Sequence, residues 1–127
     1  MFLIQCFKRR KGDIYIMENQ ITELMENIKT DYLNWTSRNG QKELTDINKD
    51  MIAEFNDKLT FKTGQKYIKV ISSNSVWGFI VNTDDDKKFA KGDILKAAGW
   101  KAPARNKPRG NILDGGYRIQ WTGPLYL

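Results

Sequence analysis

Between residues 18 and 38 the apolar positions Ile21, Leu24, Met25, Ile28, Tyr32 and Trp35 recur every three or four residues, with Glu23, Glu26, Lys29 and Asp31 between them. That period lays one apolar stripe along an amphipathic helix. Asn39-Gly40 supplies the residue types that end a helix in the left-handed conformation. Thr45 or Asp46 can cap a second helix, in which Ile47, Met51, Phe55 and Leu59 keep a four-residue step and Ile52 widens the same face. Two helices joined by a short turn read as an antiparallel pair with its aromatic and Met side chains in the core.

From Lys66 the period changes to two. Ile68 and Val70 fall on one side of a strand and Tyr67, Lys69 and Ile71 on the other, and the turn formers Ser72 to Ser75 follow. Val76-Trp77-Gly78-Phe79-Ile80-Val81 is apolar almost throughout, which predicts a β-hairpin whose second strand is central or buried on both faces. Gly78 in its middle signals a bulge or the close approach of another backbone. After a polar turn at 82–88, Asp93 can cap a short helix over Ile94 to Ala98 that Gly99 would end. The loop beyond it is stiffened by Pro103 and Pro108. Tyr117, Ile119 and Trp121 alternate with Arg118 and Gln120 as a third strand, and the apolar tail Gly123 to Leu127 is expected to dock on the core.

The expected fold is therefore α+β: two N-terminal helices packed on a small antiparallel three-stranded sheet, with a short helix and a rigid basic loop before the last strand. Residues 17–127 form a single domain. Residues 1–16 break the pattern and read as a peripheral or poorly ordered extension, with Met17 as an alternative natural start and Ile14 to Ile16 as a candidate edge strand.

A chain of 127 residues is long enough to bury a core without metal or disulfides. Cys6 is alone and can make no internal bridge, which suits a reducing compartment. No apolar run has the length of a bilayer span, so the expected location is cytoplasmic with no membrane partner. Charge adds a second division. Residues 17–60 hold five basic and nine acidic side chains, whereas residues 61–127 hold twelve basic and five acidic. Such asymmetry points to a polyanion, or to attraction between the two halves or between two copies.

Candidate chemistry concentrates where charge does. Lys96, Lys101, Arg105, Lys107 and Arg109 surround Trp100, so that cations could meet phosphates while the indole stacks on a base. The competing reading buries Trp100 against the sheet and leaves the cations as a solvated face. No histidine occurs, which removes Ser-His and Cys-His nucleophile pairs and every His metal site. One cysteine makes zinc equally unfavourable. Asp84-Asp85-Asp86 is the one carboxylate cluster, but its spacing is not that of a calcium loop and it reads as a solvated turn. Asp93 and Asp114 already have structural work as a cap and a turn residue. No catalytic residue, metal or cofactor is expected.

The run KKFAKGDILKAAGWKAPARNKPRGNI from Lys87, followed by IQWTGPLYL, resembles small proteins of T4-like marine phages that infect cyanobacteria and related bacteria, from the hairpin onward. The resemblance implies a viral protein inside a host cell and transfers no catalytic residue. The functional expectation is a non-enzymatic accessory module that binds DNA or RNA through Lys96, Trp100, Lys101, Arg105, Lys107 and Arg109. The alternative is a protein-interaction or self-assembly module whose basic half meets an acidic protein surface or a second subunit.

Overall fold

Ile21, Leu24, Met25, Ile28 and Tyr32 are all buried along one side of helix α1, Cys6–Ser37. The computed structural model describes the backbone of residues 6–124 and the side chains from Glu18 onward. Helix α2 spans Asp46–Lys58, and strands β1 (Leu59–Thr63), β2 (Tyr67–Ser72), β3 (Ser75–Val81) and β4 (Ile94–Leu95) form one antiparallel sheet in the order β1-β2-β3-β4. A separate two-stranded ribbon pairs β5 (Ile119–Gln120) with β6 (Gly123–Pro124). The architecture is α+β as expected, but the sheet has four strands rather than three. No helix among the described residues is long and apolar enough to cross a membrane.

Helix α1 ends where its sequence says it should. Arg38, Asn39 and Gly40 all have positive φ, and the Asn39 and Lys42 amides donate back to the carbonyls of Asn34 and Ser37 at 2.7 and 2.8 Å. At its other end α1 takes in Ile14 to Ile16 as helix, so these residues form no edge strand. Helix α2 starts at a capping box, in which the Thr45 hydroxyl accepts from the Asn48 amide at 3.1 Å and the Asn48 side chain accepts from the Thr45 amide at 3.2 Å. The expected apolar face of α2 is only partly used. Phe55 stacks on Tyr32 with ring centroids 4.3 Å apart, but Ile47 and Met51 are 71% and 48% exposed and no residue of α2 is buried. Leu59 leaves the helix at φ −86° and ψ 111° and opens β1.

The hairpin from Tyr67 to Val81 forms as its period predicts. Strand β3 lies between β2 and β4 and is covered on both faces. On one face Ile68, Val70, Ile80 and Ile94 join Leu24 and Ile28 of α1 in the larger core. On the other, Phe79, Val81 and Leu95 pack with Phe89 from the following loop. Both expectations for Gly78 are met. The register steps from Val70↔Gly78 to Ile71↔Val76, which leaves Trp77 as a bulged residue. A Cβ on Gly78 would also lie 3.0 Å from the Leu95 carbonyl oxygen and 3.1 Å from Pro124 Cγ.

Two expected elements are replaced. Asp93 caps no helix: Ile94 and Leu95 are strand residues paired with Ile80 and Phe79, and Ala97 bridges Pro103. The physical reason is the unpaired edge of β3, whose backbone groups are buried and need partners. Two adjacent, fully buried side chains also fit opposite faces of a strand better than one stripe of a helix. The last strand joins β6 instead of the main sheet, held by the Trp77 indole donating to the Gln120 carbonyl at 2.8 Å. Gly123 and Pro124 are buried beside β3, and the remainder of the tail lies outside the described residues.

Since α1 fills the core and α2 does not, their truncations should differ sharply. Leu24→Ala is expected to cost about 2–5 kcal/mol in chemical denaturation, and Met51→Ala no more than about 0.5 kcal/mol. Equal losses would show that the apolar face of α2 is covered in solution.

Candidate nucleic-acid interface

The six residues singled out by the sequence do not share one role. Arg105 is the most constrained. Its two terminal nitrogens donate to the two carboxylate oxygens of Asp86 at 2.9 Å each, Nη1 also donates to the Tyr67 hydroxyl, and the guanidinium sits 4.9 Å from the centroid of Phe89. A planar fork matched to a carboxylate and stacked on a ring uses most of what arginine offers. Asp86 in turn accepts from the Lys88 and Phe89 amides at 2.8 and 3.0 Å, and its side chain is only 1% accessible. The Lys88 ammonium closes the arrangement by donating to the Arg105 carbonyl at 2.6 Å. The aspartate run is therefore divided: Asp84 and Asp85 are exposed, whereas Asp86 is the internal partner of Arg105 and no part of a solvated turn.

The electrostatics follow. The Arg105 guanidinium, with the Lys88 amide second, holds the Asp86 carboxyl well below the usual carboxylate range against the opposing effect of desolvation. Asp86 reciprocally holds the Arg105 guanidinium above its ordinary value.

Arg109 is half-buried and tied to its own loop. Its amide and the Gly110 carbonyl pair with the backbone of Ile94 at 2.8 Å, and Nη1 donates to the Lys107 carbonyl at 3.0 Å and more distantly to Asn106 Oδ1. Lys96 is partly buried beside Gly123. Trp100, Lys101 and Lys107 remain on the surface, and Trp100 is 51% exposed at the tip of the turn where the Ala98 and Gly99 amides donate to the Ala102 carbonyl.

What the fold brings to Trp100 is a residue that loop sequence could not indicate. Lys69 of β2 places its ammonium 4.6 Å from the centroid of the Trp100 ring. Lys69 lies directly opposite Lys62 of β1 in the register, so the two cations share one face of the sheet. Like charges directly opposed destabilise a strand pair. The result is a surface of Lys62, Lys69 and Trp100 on the sheet face that Phe79 shares, with Lys101 exposed at the next position of the loop. The missed signal was Lys62, which becomes legible only once Leu59–Thr63 is recognised as a strand.

Catalytic alternatives gain nothing positive. An open recess of about 630 Å³ holds Asp93 and Asp114 with Arg109 and Arg118 but no lysine. Asp93 spends its carboxylate on the Ala90 amide and the Asn111 side chain, both at 2.9 Å. Among the described residues no three carboxylate or cysteine side chains gather as metal ligands.

The Asp86 carboxyl is held low in the folded chain, so folding is favoured above the unfolded carboxylate pKa of about 4 and loses this contribution as pH falls below it. In that acid window unfolding takes up about one proton at this site. Asp86→Asn is expected to be less stable than the parent at pH 7 and to lose less on acidification, as thermal melts between pH 7 and pH 2 would read. Parallel curves for the two proteins would refute the ion-pair account.

No curated protein and no solved structure matches the chain. A family model matches residues 4–127, and it spans both the helical half and the basic half described above. The chain belongs to this family, a family of unknown function designated DUF7717.

Proposed function

We propose that the chain is a non-enzymatic nucleic-acid-binding accessory protein of phage type, which holds a single strand of DNA or RNA across the Lys62 and Lys69 face of its sheet. The observation that carries this reading is the grouping of Lys62 and Lys69 opposite one another beside the half-exposed Trp100. Two like charges on adjacent strands gain most from an anion that lies across both. Trp100 adds a flat ring on which an unpaired base can stack, a contact open to any base. Lys101 and Lys107 extend the positive surface along the loop, while Arg105 and Arg109 hold that loop in shape.

This division of labour is testable by fluorescence anisotropy with short single-stranded oligonucleotides. Affinity should fall steeply with salt, and replacing Lys62, Lys69 and Lys101 together by Ala should flatten the log–log salt slope by about 2. Trp100→Ala should weaken binding by about 1–3 kcal/mol, on the order of 5- to 150-fold, with the salt slope unchanged. Affinity insensitive to salt, or no binding at low salt, would overturn the proposal and direct attention to an acidic protein surface as the partner.

A further inference from the structure

We infer that the cleft between the end of α1, the start of α2 and the β5–β6 ribbon is a binding site for a neutral carbohydrate. The cleft has a volume of about 980 Å³ and shares no residue with the Lys62–Lys69–Trp100 surface. Its central feature is Trp35, an indole left 62% exposed. The ring is held all the same: Trp121 tilts against it with centroids 5.1 Å apart and Tyr32 stacks from within at 6.1 Å, and both belong to a cluster that includes Phe55. A flat ring fixed by its neighbours and open on the cleft side is a preorganised platform, because binding need not immobilise it. It suits the apolar C–H face of a pyranose.

The surrounding side chains supply the other half of sugar recognition. The amides of Asn34, Asn39 and Gln120 line the cleft, and none of them has a side-chain hydrogen-bond partner among the described residues. Each amide offers both donors and an acceptor, which is what a hydroxyl needs, since every hydroxyl both gives and accepts. The Asp31 carboxylate lines the cleft and accepts from the Trp121 amide through Oδ2 at 2.7 Å, so that Oδ1 can accept from a ligand hydroxyl.

Charge selects between a sugar and the other flat polar ligand, a nucleotide. Arg38 and Lys42 bring two positive charges to the cleft. They are offset by Asp31 and by the C-terminus of α1, whose carbonyls carry the negative end of the helix dipole. A phosphate placed here would face both. A ligand rich in hydroxyls and without net charge meets no such opposition.

The test uses the full chain and its tryptophan emission. It is titrated separately with neutral malto-, cello-, xylo-, manno- and chito-oligosaccharides, with AMP and with a short single-stranded oligonucleotide. Saturable binding of at least one oligosaccharide is expected, with a Kd on the order of 1 mM or tighter. Trp35→Ala and Asn34→Ala should each weaken it about tenfold or more. Both residues are exposed, so the fold should survive, and unchanged far-UV circular dichroism would verify this. Trp100→Ala should leave sugar binding intact while weakening the oligonucleotide, which separates this site from the proposed nucleic-acid surface. No saturable response to any oligosaccharide, retention of full affinity in Trp35→Ala, or saturable AMP binding in the sugar's place would overturn the inference.

Discussion

Strand β3 is paired along both edges and covered on both faces, so the positions of the other elements are settled by what this one strand excludes from water. A strand with that burial must find partners for every backbone group. On one side the hairpin partner β2 is supplied by chain proximity. On the other the chain makes a longer excursion and returns as β4, a strand of two residues placed where the bare edge requires it. The face toward α1 is filled by a regular stripe, and the opposite face by an irregular loop.

That loop could not cover apolar surface as a floppy segment. Its closure depends on Asp86 and Arg105, which lie 19 positions apart and meet in a bidentate pair beside Phe89. A carboxylate removed from water is tolerable because two guanidinium nitrogens and two amides satisfy it. A cation committed to an internal carboxylate is no longer offered to an external anion. The positive surface consequently keeps Lys101 and Lys107 of the loop but not Arg105, and it gains Lys62 and Lys69 from the sheet, two residues with no apparent role in sequence.

How much could be read in advance depended on the length and regularity of each element. Helix α1 and the hairpin were legible because their periods run over many residues. Strand β1 was absorbed into the preceding helix because Leu59 continues the four-residue step from Ile47, Met51 and Phe55, though the chain turns extended at that very residue. Strand β4 has no period to read, and Asp93 looks the same before a helix as it does when bonded to Asn111. Among three consecutive aspartates no local property says which one turns inward, because the arginine that decides it is far along the chain. The basic loop was visible as composition, whereas the opposition of Lys62 and Lys69 depends on strand register, which no stretch of sequence contains alone. Trp35 is in phase with the buried Tyr32, and spacing does not mark where the covering of the stripe stops.

Helix α2 occupies an unusual position, capped at its start and anchored by Phe55 yet contributing no buried residue. The free energy that separates its folded from its open form is therefore much smaller than that of the domain. Its amides should exchange with solvent through local opening while those of α1 and β3 exchange only with global unfolding. The molecule thus has two tiers of cohesion, a sheet and long helix that unfold together and a short helix that can come and go beside them.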